Sequence, residues 1–406
     1  MNNKEYLKYL NDELKIFSNK SKEIDDIDIK TIKGISKRKR YLQSKLIKQF
    51  LTKNYMVRNT NVNHKTLEED KFKFSYDYQR YDIKITQKDY LDFFYSCKEK
   101  DYYYYFTNCG MSSLYAAFTA FKKNHFTIDR IGNIYVEIER MLDEYLIEEK
   151  ENKGKVLYID SSSYIDLNEL LKEKDLSVYQ AFIFDTTDYL DDLCLPIINK
   201  LLEYNKIVCL VRSHIKLDML GAEWNKLGSI CVINPKNISK EDKKLSNELK
   251  ESINIVLSVI GGFAYPENIP LIWNNPKFKE VNTKRVELIK KNSKYLYDRL
   301  LEVFTEEEIC YPFHQMFVLL RINHKLTLEE VDKEIDKYIK DCKYKGLINF
   351  ADSFGLDYYA LSNYWESMAA EYPDVRIIVP DYPEEINKLI VDDMIIWLKK
   401  FYEKFN

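Results

Sequence analysis

Four short, continuous apolar runs mark the middle of the chain: Lys155-Val156-Leu157-Tyr158-Ile159, Ala181-Phe182-Ile183-Phe184, Ile207-Val208-Cys209-Leu210-Val211 and Ser229-Ile230-Cys231-Val232-Ile233. Runs of this length without polar alternation are what strands buried on both faces of a parallel sheet look like. Amphipathic stretches such as residues 191–204 lie between them, and this alternation predicts a doubly wound sheet. Upstream, residues 5–17 and 39–51 read as helices with charged faces. Tyr102-Tyr103-Tyr104-Tyr105, between Asp101 and Phe106, reads as a half-buried strand rather than a stacking platform for bases. After Gly261-Gly262 the pattern changes. Residues 278–302 predict one long lysine-rich helix; strands near 316–322 and 375–379 and helices near 328–342 and 384–401 follow. The expected fold class is α/β, with a large, mostly parallel sheet domain and a smaller α+β domain. Its divisions are a helical N-terminal segment over 1–70, a large domain over 71–262, and a connector helix with the C-terminal domain over 263–406.

The composition narrows the function classes. The 406 residues are 45% apolar and 31% charged, with 62 basic against 65 acidic side chains and a net charge of −3. Such a chain folds, and its charge gives no reason to expect nucleic acid or an acidic membrane as partner. No run approaches the roughly 18 apolar residues that a membrane span needs. The first residues, Met1-Asn2-Asn3-Lys4-Glu5-Tyr6, are charged where a signal peptide is apolar, so the expected location is cytoplasmic. Seven cysteines, an odd number with no C-x-x-C pair, and five scattered histidines suggest free thiols rather than zinc or a disulfide framework. The basic cluster Lys37-Arg38-Lys39-Arg40 reads as a solvated helix start. Lysine outnumbers arginine 51 to 11, a compositional bias that also weakens any argument from the 33 tyrosines.

Ligands of open α/β sheets bind at the carboxyl ends of the strands, so the residues that follow each run carry the chemistry. Asp185 follows the run at 181–184, and Arg212-Ser213-His214-Ile215-Lys216 follows that at 207–211. Asn108-Cys109-Gly110-Met111-Ser112-Ser113 precedes a helix expected over 112–121. A glycine-initiated helix start offers N–H groups and a dipole to an anion such as phosphate. A lysine amine can form a Schiff base, and a buried carboxylate can pair with a protonated pyridine nitrogen. These are the parts of a pyridoxal 5'-phosphate (PLP) site.

The ordered motifs resemble the fold-type-I PLP enzymes, nearest the cystathionine γ-synthase/γ-lyase group, over roughly residues 75–400. Cys109-Gly110-Met111-Ser112-Ser113 resembles that family's phosphate turn, and Tyr135 the tyrosine that stacks on the cofactor ring. Asp160-Ser161-Ser162-Ser163-Tyr164 resembles its E-S-P-[ST]-N segment. Phe184-Asp185-Thr186-Thr187 resembles V-D-N-T, whose aspartate meets the pyridine nitrogen. Ser213-His214-Ile215-Lys216 resembles S-x-T-K, whose serine touches phosphate and whose lysine carries the cofactor. Tyr78-Gln79-Arg80 resembles the Y-x-R element that reaches a neighbouring subunit's phosphate. Ser353-Phe354-Gly355 and Val375-Arg376-Ile377-Ile378-Val379-Pro380 resemble the substrate-binding S-L-G and the segment whose arginine clamps a substrate carboxylate.

The resemblance implies an aspartate-aminotransferase-like fold, PLP as cofactor, an amino-acid substrate, a homodimer or homotetramer, and neither nucleic acid nor membrane as partner. Departures are present. Tyr164 stands for an asparagine, Ile215 for a hydroxyl residue, Leu217 for a tyrosine, and the glycine after the lysine comes late, at Gly221. The implied reaction is β- or γ-elimination or replacement, catalysed from Lys216. The 31 residues from Asp185 to Lys216 match aminotransferase spacing better and make that the alternative. A non-catalytic scaffold of the same fold is the third class, suggested by the altered motifs.

Overall fold

Residues 2–53, 66–69, 72–75, 84–146, 153–322, 326–365, 370 and 372–405 are described by the structure, a computed structural model. The backbone divides into two compact units. One holds Ile47–Ile215 and Trp224–Pro270; the other holds Met1–Leu46, Lys216–Glu223 and Leu271–Asn406.

The chain opens with α1 (Asn3–Phe17) and α2 (Ile29–Lys53). Strands β1 (Thr66–Glu69), β2 (Phe72–Ser75) and β3 (Lys84–Gln87) form an antiparallel sheet, and α3 (Tyr90–Tyr95) follows. The main sheet of this unit is built from β4 (Tyr102–Thr107), β5 (Phe126–Ile131), β6 (Gly154–Asp160), β7 (Ala181–Asp185), β8 (Ile207–Ser213) and β9 (Gly228–Ile233). Their order is β4-β9-β8-β7-β6-β5. Strands β5 to β8 pair in parallel, and β9 runs antiparallel to both β8 and β4. The run at 229–233 therefore departs from the parallel reading: no helix separates β8 from β9, and an antiparallel return needs none. Helices α4 (Gly110–Lys123), α5 (Val136–Arg140), α6 (Leu167–Glu173), α7 (Asp191–Leu202) and α8 (Lys240–Ile260) complete the unit.

Both faces of the central strands are dry, which explains their unbroken apolar runs. Tyr158, Ile183, Cys209 and Val211 share one core with Ala117, Phe121 of α4 and Leu249, Ile253 of α8. Leu157, Ile159, Phe182, Phe184, Val208 and Leu210 point the other way and are equally buried. The period of two then puts Asp160, Asp185 and Ser213, the last residues of β6, β7 and β8, on the α4 side.

The second unit carries α9 (Phe278–Leu300) and a smaller sheet of β10 (Ile309–Cys310), β11 (Phe317–Leu320), β12 (Ile348–Phe350), β13 (Tyr359–Tyr364) and β14 (Asp374–Ile378). Its order is β10-β11-β14-β13-β12, antiparallel except for β12 with β13. Helix α10 (Leu328–Asp341) starts at a Thr327/Glu330 capping box, and α11 (Glu384–Phe405) packs on α9, as does α1. The expected class, α/β with a large, mostly parallel sheet and a smaller second one, is what the structure shows. Among the described residues no helix is long and apolar enough to cross a membrane.

Candidate active site

The ligand end of the main sheet presents two carboxyl groups on neighbouring strands, Asp160 in register with Asp185. Both are buried, at 2% and 5% exposure. Both oxygens of Asp160 are engaged: Oδ2 accepts from the Tyr135 N–H at 3.1 Å and the Tyr158 hydroxyl at 2.9 Å, and Oδ1 accepts from the Ser162 N–H at 2.9 Å. Among the described residues Asp185 is engaged only at Oδ1, which accepts from the Thr187 N–H at 2.9 Å and the Thr187 hydroxyl at 2.5 Å. Burial first, and then the charge of Asp160, push the Asp185 carboxyl up to about 7, against the Thr187 hydrogen bonds and the Arg212 guanidinium. Burial also raises Asp160, opposed by its hydrogen bonds. Arg212 itself is buried and donates to the Thr186 and Tyr189 carbonyls at 2.6 and 2.8 Å, fixing the loop behind Asp185.

Beside these carboxyls stands the start of α4. Cys109 caps it, its sulfur accepting from the Ser112 N–H at 3.4 Å. A helix start leaves its first N–H groups without intrahelical acceptors, and here those belong to Gly110 and Met111. Gly110 lies hard against the end of β8: a Cβ on it would sit 2.7 Å from Ser213 Cβ and 3.3 Å from Ser213 Oγ. Only glycine lets the two backbones approach this closely. Ser213 is anchored through its N–H to Thr187 Oγ1 at 2.9 Å, the same hydroxyl that bonds Asp185. His214 turns into the core, its Nε2 2.7 Å from Ser229 Oγ. Gly110, Met111, Ser213, Asp185 and Tyr135 thus all belong to one unit, at one end of one sheet.

Lys216, third residue beyond β8, belongs to the other unit and meets Ser353 there: its Nζ donates to Ser353 Oγ at 2.8 Å and lies 5.2 Å from the Phe354 ring centre. Gly355, at φ +69°, brings its backbone against the Lys216 carbonyl, where a Cβ would come within 2.6 Å. Arg376, in β14, is 6% exposed; its Nε donates to Ser362 Oγ at 3.2 Å, and its guanidinium lies 4.8 Å from the Tyr364 ring and 5.8 Å from the Phe317 ring. Among the described residues its acidic partner is the exposed Asp352, at 3.6 Å. Phe317 and Phe354, 6.2 Å apart, join the Lys216 and Arg376 surroundings into one aromatic floor.

Tyr78 and Arg80 lie outside the described residues. Three features were not read from sequence. The first is the role of Asp160, quoted above only as a motif position; its signal was an acid ending an apolar run, as Asp185 ends the next. The second is Thr187, which links Asp185 to Ser213. The third is a buried ionic cluster under the Lys216 and Ser353 loops. Arg285 donates to the Gly355 and Leu356 carbonyls at 3.0 and 2.9 Å and lies 3.7 Å from Asp381 and 3.9 Å from Glu13. Lys39 donates to Glu13 at 2.7 Å and to the Leu220 carbonyl at 3.0 Å. No local pattern announces such long-range pairs.

The residues present fit a phosphorylated pyridine ring. Asp185 Oδ2 accepts no hydrogen bond among the described residues, so a ring N–H has an acceptor there. The N–H groups of Gly110 and Met111 with the Ser213 hydroxyl suit a phosphate. No protein-family model matches the chain, and no curated protein matches its sequence. Solved structures similar to it include an aminotransferase from Eubacterium rectale, at 14% identity over 89% of this chain and 87% of that one, with a TM-score of 0.47. Aspartate aminotransferase from Trypanosoma cruzi is similar at 14% identity over 76% of this chain and 81% of that one, TM-score 0.44. Aromatic-amino-acid aminotransferase from Burkholderia pseudomallei, covalently bound to pyridoxal phosphate, is similar at 14% identity over 76% and 80%, TM-score 0.42.

Proposed function

We propose that the chain is a PLP-dependent enzyme that acts on α-amino acids at Cα, by amino-group transfer. One observation carries the reading: a buried carboxyl, Asp185, with one oxygen that accepts no hydrogen bond among the described residues, shares a sheet face and end with a glycine helix start closed on Ser213. Lys216 is the attachment residue. Chain connectivity alone keeps it within roughly 11 Å of Ser213, since three residues span no more. Bound in this site, the cofactor supplies an electron-withdrawing ring that stabilises negative charge at the substrate Cα. Asp185 holds the proton at the ring nitrogen. Gly110, Met111 and Ser213 hold the phosphate, and Tyr135 covers the ring. Tyr78 and Arg80 of a second subunit complete the phosphate site, so the active unit is a dimer or larger.

Arg376 takes the substrate carboxylate in a bidentate fork, for which a guanidinium is better shaped than an ammonium. Asp352, exposed and 3.6 Å away, is the counter-ion that a substrate carboxylate displaces. Lys216 is the base for the Cα proton, with Ser353 Oγ accepting from its Nζ and orienting it. The 31-position step from Asp185 to Lys216 favours transfer. The second reading is elimination or replacement on a sulfur- or oxygen-substituted amino acid. It is favoured by Ser353-Phe354-Gly355 and the Arg376 segment, whose likeness is to the cystathionine γ-synthase group. Product analysis separates the two. Transfer gives a new amino acid from an added keto acid and no ammonia; elimination gives ammonia and a keto acid without an acceptor. Neither product from a broad panel of amino acids would overturn the proposal.

A further inference from the structure

Two buried acids end neighbouring parallel strands at the ligand end of the main sheet, and the functional reading uses only one of them. Asp160 and Asp185 are register partners, so their side chains leave the same face of the sheet one strand apart. Asp160 accepts three hydrogen bonds, with both oxygens engaged by the protein itself. One of the three reaches the backbone N–H of Tyr135, the residue that starts α5.

We propose that Asp160 is a positioning residue for this site: from the end of β6 it holds the backbone of Tyr135 in place and, through its negative charge, sets the proton occupancy of Asp185 on the next strand. The inference rests on the reading of Asp185 as the partner of the ring nitrogen. Two carboxylates this close in a dry site do not both ionise readily, because the second charge meets the first with little water between them. Asp160 is the better stabilised anion, with three donors against the two that Asp185 receives from Thr187 alone. The proton of the pair therefore resides on Asp185, whose Oδ2 accepts no hydrogen bond among the described residues. With a pyridine nitrogen bound beside it, Asp185 would hand over this proton, the O–H bonding pair staying on its carboxylate as an N–H bond forms, and would then accept a hydrogen bond from that N–H. Among the described residues, the other charged or titratable groups that act with Asp185 are Arg212 on β8 and Tyr158 on β6, and Tyr158 also feels Asp188 in the following turn. Tyr158 stays neutral, its phenol raised by burial and by Asp160. Arg212 opposes the effect of Asp160, and its buried bonds to Thr186 and Tyr189 hold it in place.

The test uses the full chain without cofactor, so it does not depend on activity. Denaturant midpoints are measured from pH 5 to 8.5 for the parent, Asp160→Asn, Asp185→Asn and the double variant. A folded-state carboxyl raised above its unfolded value binds its proton more tightly when folded, so stability falls as pH climbs toward the raised value, about 7 for Asp185, and levels off beyond it. Asp160→Asn keeps an acceptor for Tyr135 but removes the charge; the Asp185 part of the fall should move down by about one pH unit or more. Asp185→Asn should abolish that part, and the double variant should add nothing to it. Glu13, also pushed up to about 7, titrates in the same window and cancels in the cycle. Parallel, additive pH profiles for the two single variants would overturn the proposal. If Asp160→Asn fails to fold, Asp160→Ser also removes the charge and takes its place: a downward move of the Asp185 titration step supports the charge effect, and an unmoved step contradicts it. Failure of the chain to bind PLP would remove the functional reading and leave this coupling measurable.

Discussion

Gly110 offers the sharpest perturbation of the phosphate site, because two opposing terms at one atom can be weighed. Alanine at a helix position is favoured over glycine by about 1 kcal/mol in a helix interior, and by less at the first residue. Against this, the added Cβ would stand 2.7 Å from Ser213 Cβ, 3.2 Å from its Cα and 3.3 Å from its Oγ. Two of these contacts are to groups fixed by a strand end, so the backbone must yield, and overpacking of this kind costs roughly 1–3 kcal/mol. The clash should win, leaving Gly110→Ala about 1–2 kcal/mol less stable in denaturant unfolding. The same displacement moves the Gly110 and Met111 N–H groups, so the Kd for PLP should rise tenfold or more, equivalent to about 1.4 kcal/mol. Inorganic phosphate should compete less well in parallel. Adding Ser213→Gly removes the Cβ and Oγ contacts; it should restore part of the stability but not the affinity, since the hydroxyl is lost with the strain. An alanine variant as stable as the parent, with unchanged affinity for PLP, would refute the close approach and the phosphate role together.

Two further outcomes follow from the second unit. Lys39→Met removes the hydrogen-bonded cation of the Glu13 carboxylate, which is fully buried and already pushed up to about 7 chiefly by burial, and leaves it Arg285 at 3.9 Å. Losing one partner of a buried pair costs about 3–5 kcal/mol, and the loss should be smaller at pH 5.5, where Glu13 is protonated, than at pH 8.5; an equal loss at both pH values would contradict the pairing. Arg376→Lys should raise KM for amino acids about tenfold or more, the loss of one bidentate bond, with PLP affinity unchanged. Equal turnover of an amino acid and its decarboxylated amine by the parent would show that no carboxylate clamp operates.

The buried strands of the main sheet were legible because each is apolar on both faces, and β6, β7 and β8 end within two residues of their expected limits. Strand β5, Phe126-Thr127-Ile128-Asp129-Arg130-Ile131, was not, because it is an edge strand whose polar residues reach solvent and salt bridges such as Arg130–Asp143. Strand β13, inside its sheet, was not legible for another reason: Ser362 and Asn363 interrupt the apolar pattern and are satisfied by Arg376 and Asp332. Helix α4 begins at Gly110 rather than Ser112, since the Cys109 sulfur rather than a hydroxyl caps it. Candidate ligands at strand ends followed from position alone. Arg285 did not: it sits among lysines in α9, and its partners Glu13, Gly355 and Asp381 are each at least 70 residues away in sequence. Burial of charge is settled by tertiary pairing, which no local window reports.

The central claim is that Lys216 carries PLP. The full chain incubated with PLP, reduced with borohydride and digested should yield one phosphopyridoxyl peptide, the one containing Lys216. Lys216→Ala, shown to be folded by its unfolding transition, should yield none. A label spread over surface lysines, or an undiminished label in folded Lys216→Ala, would contradict the account.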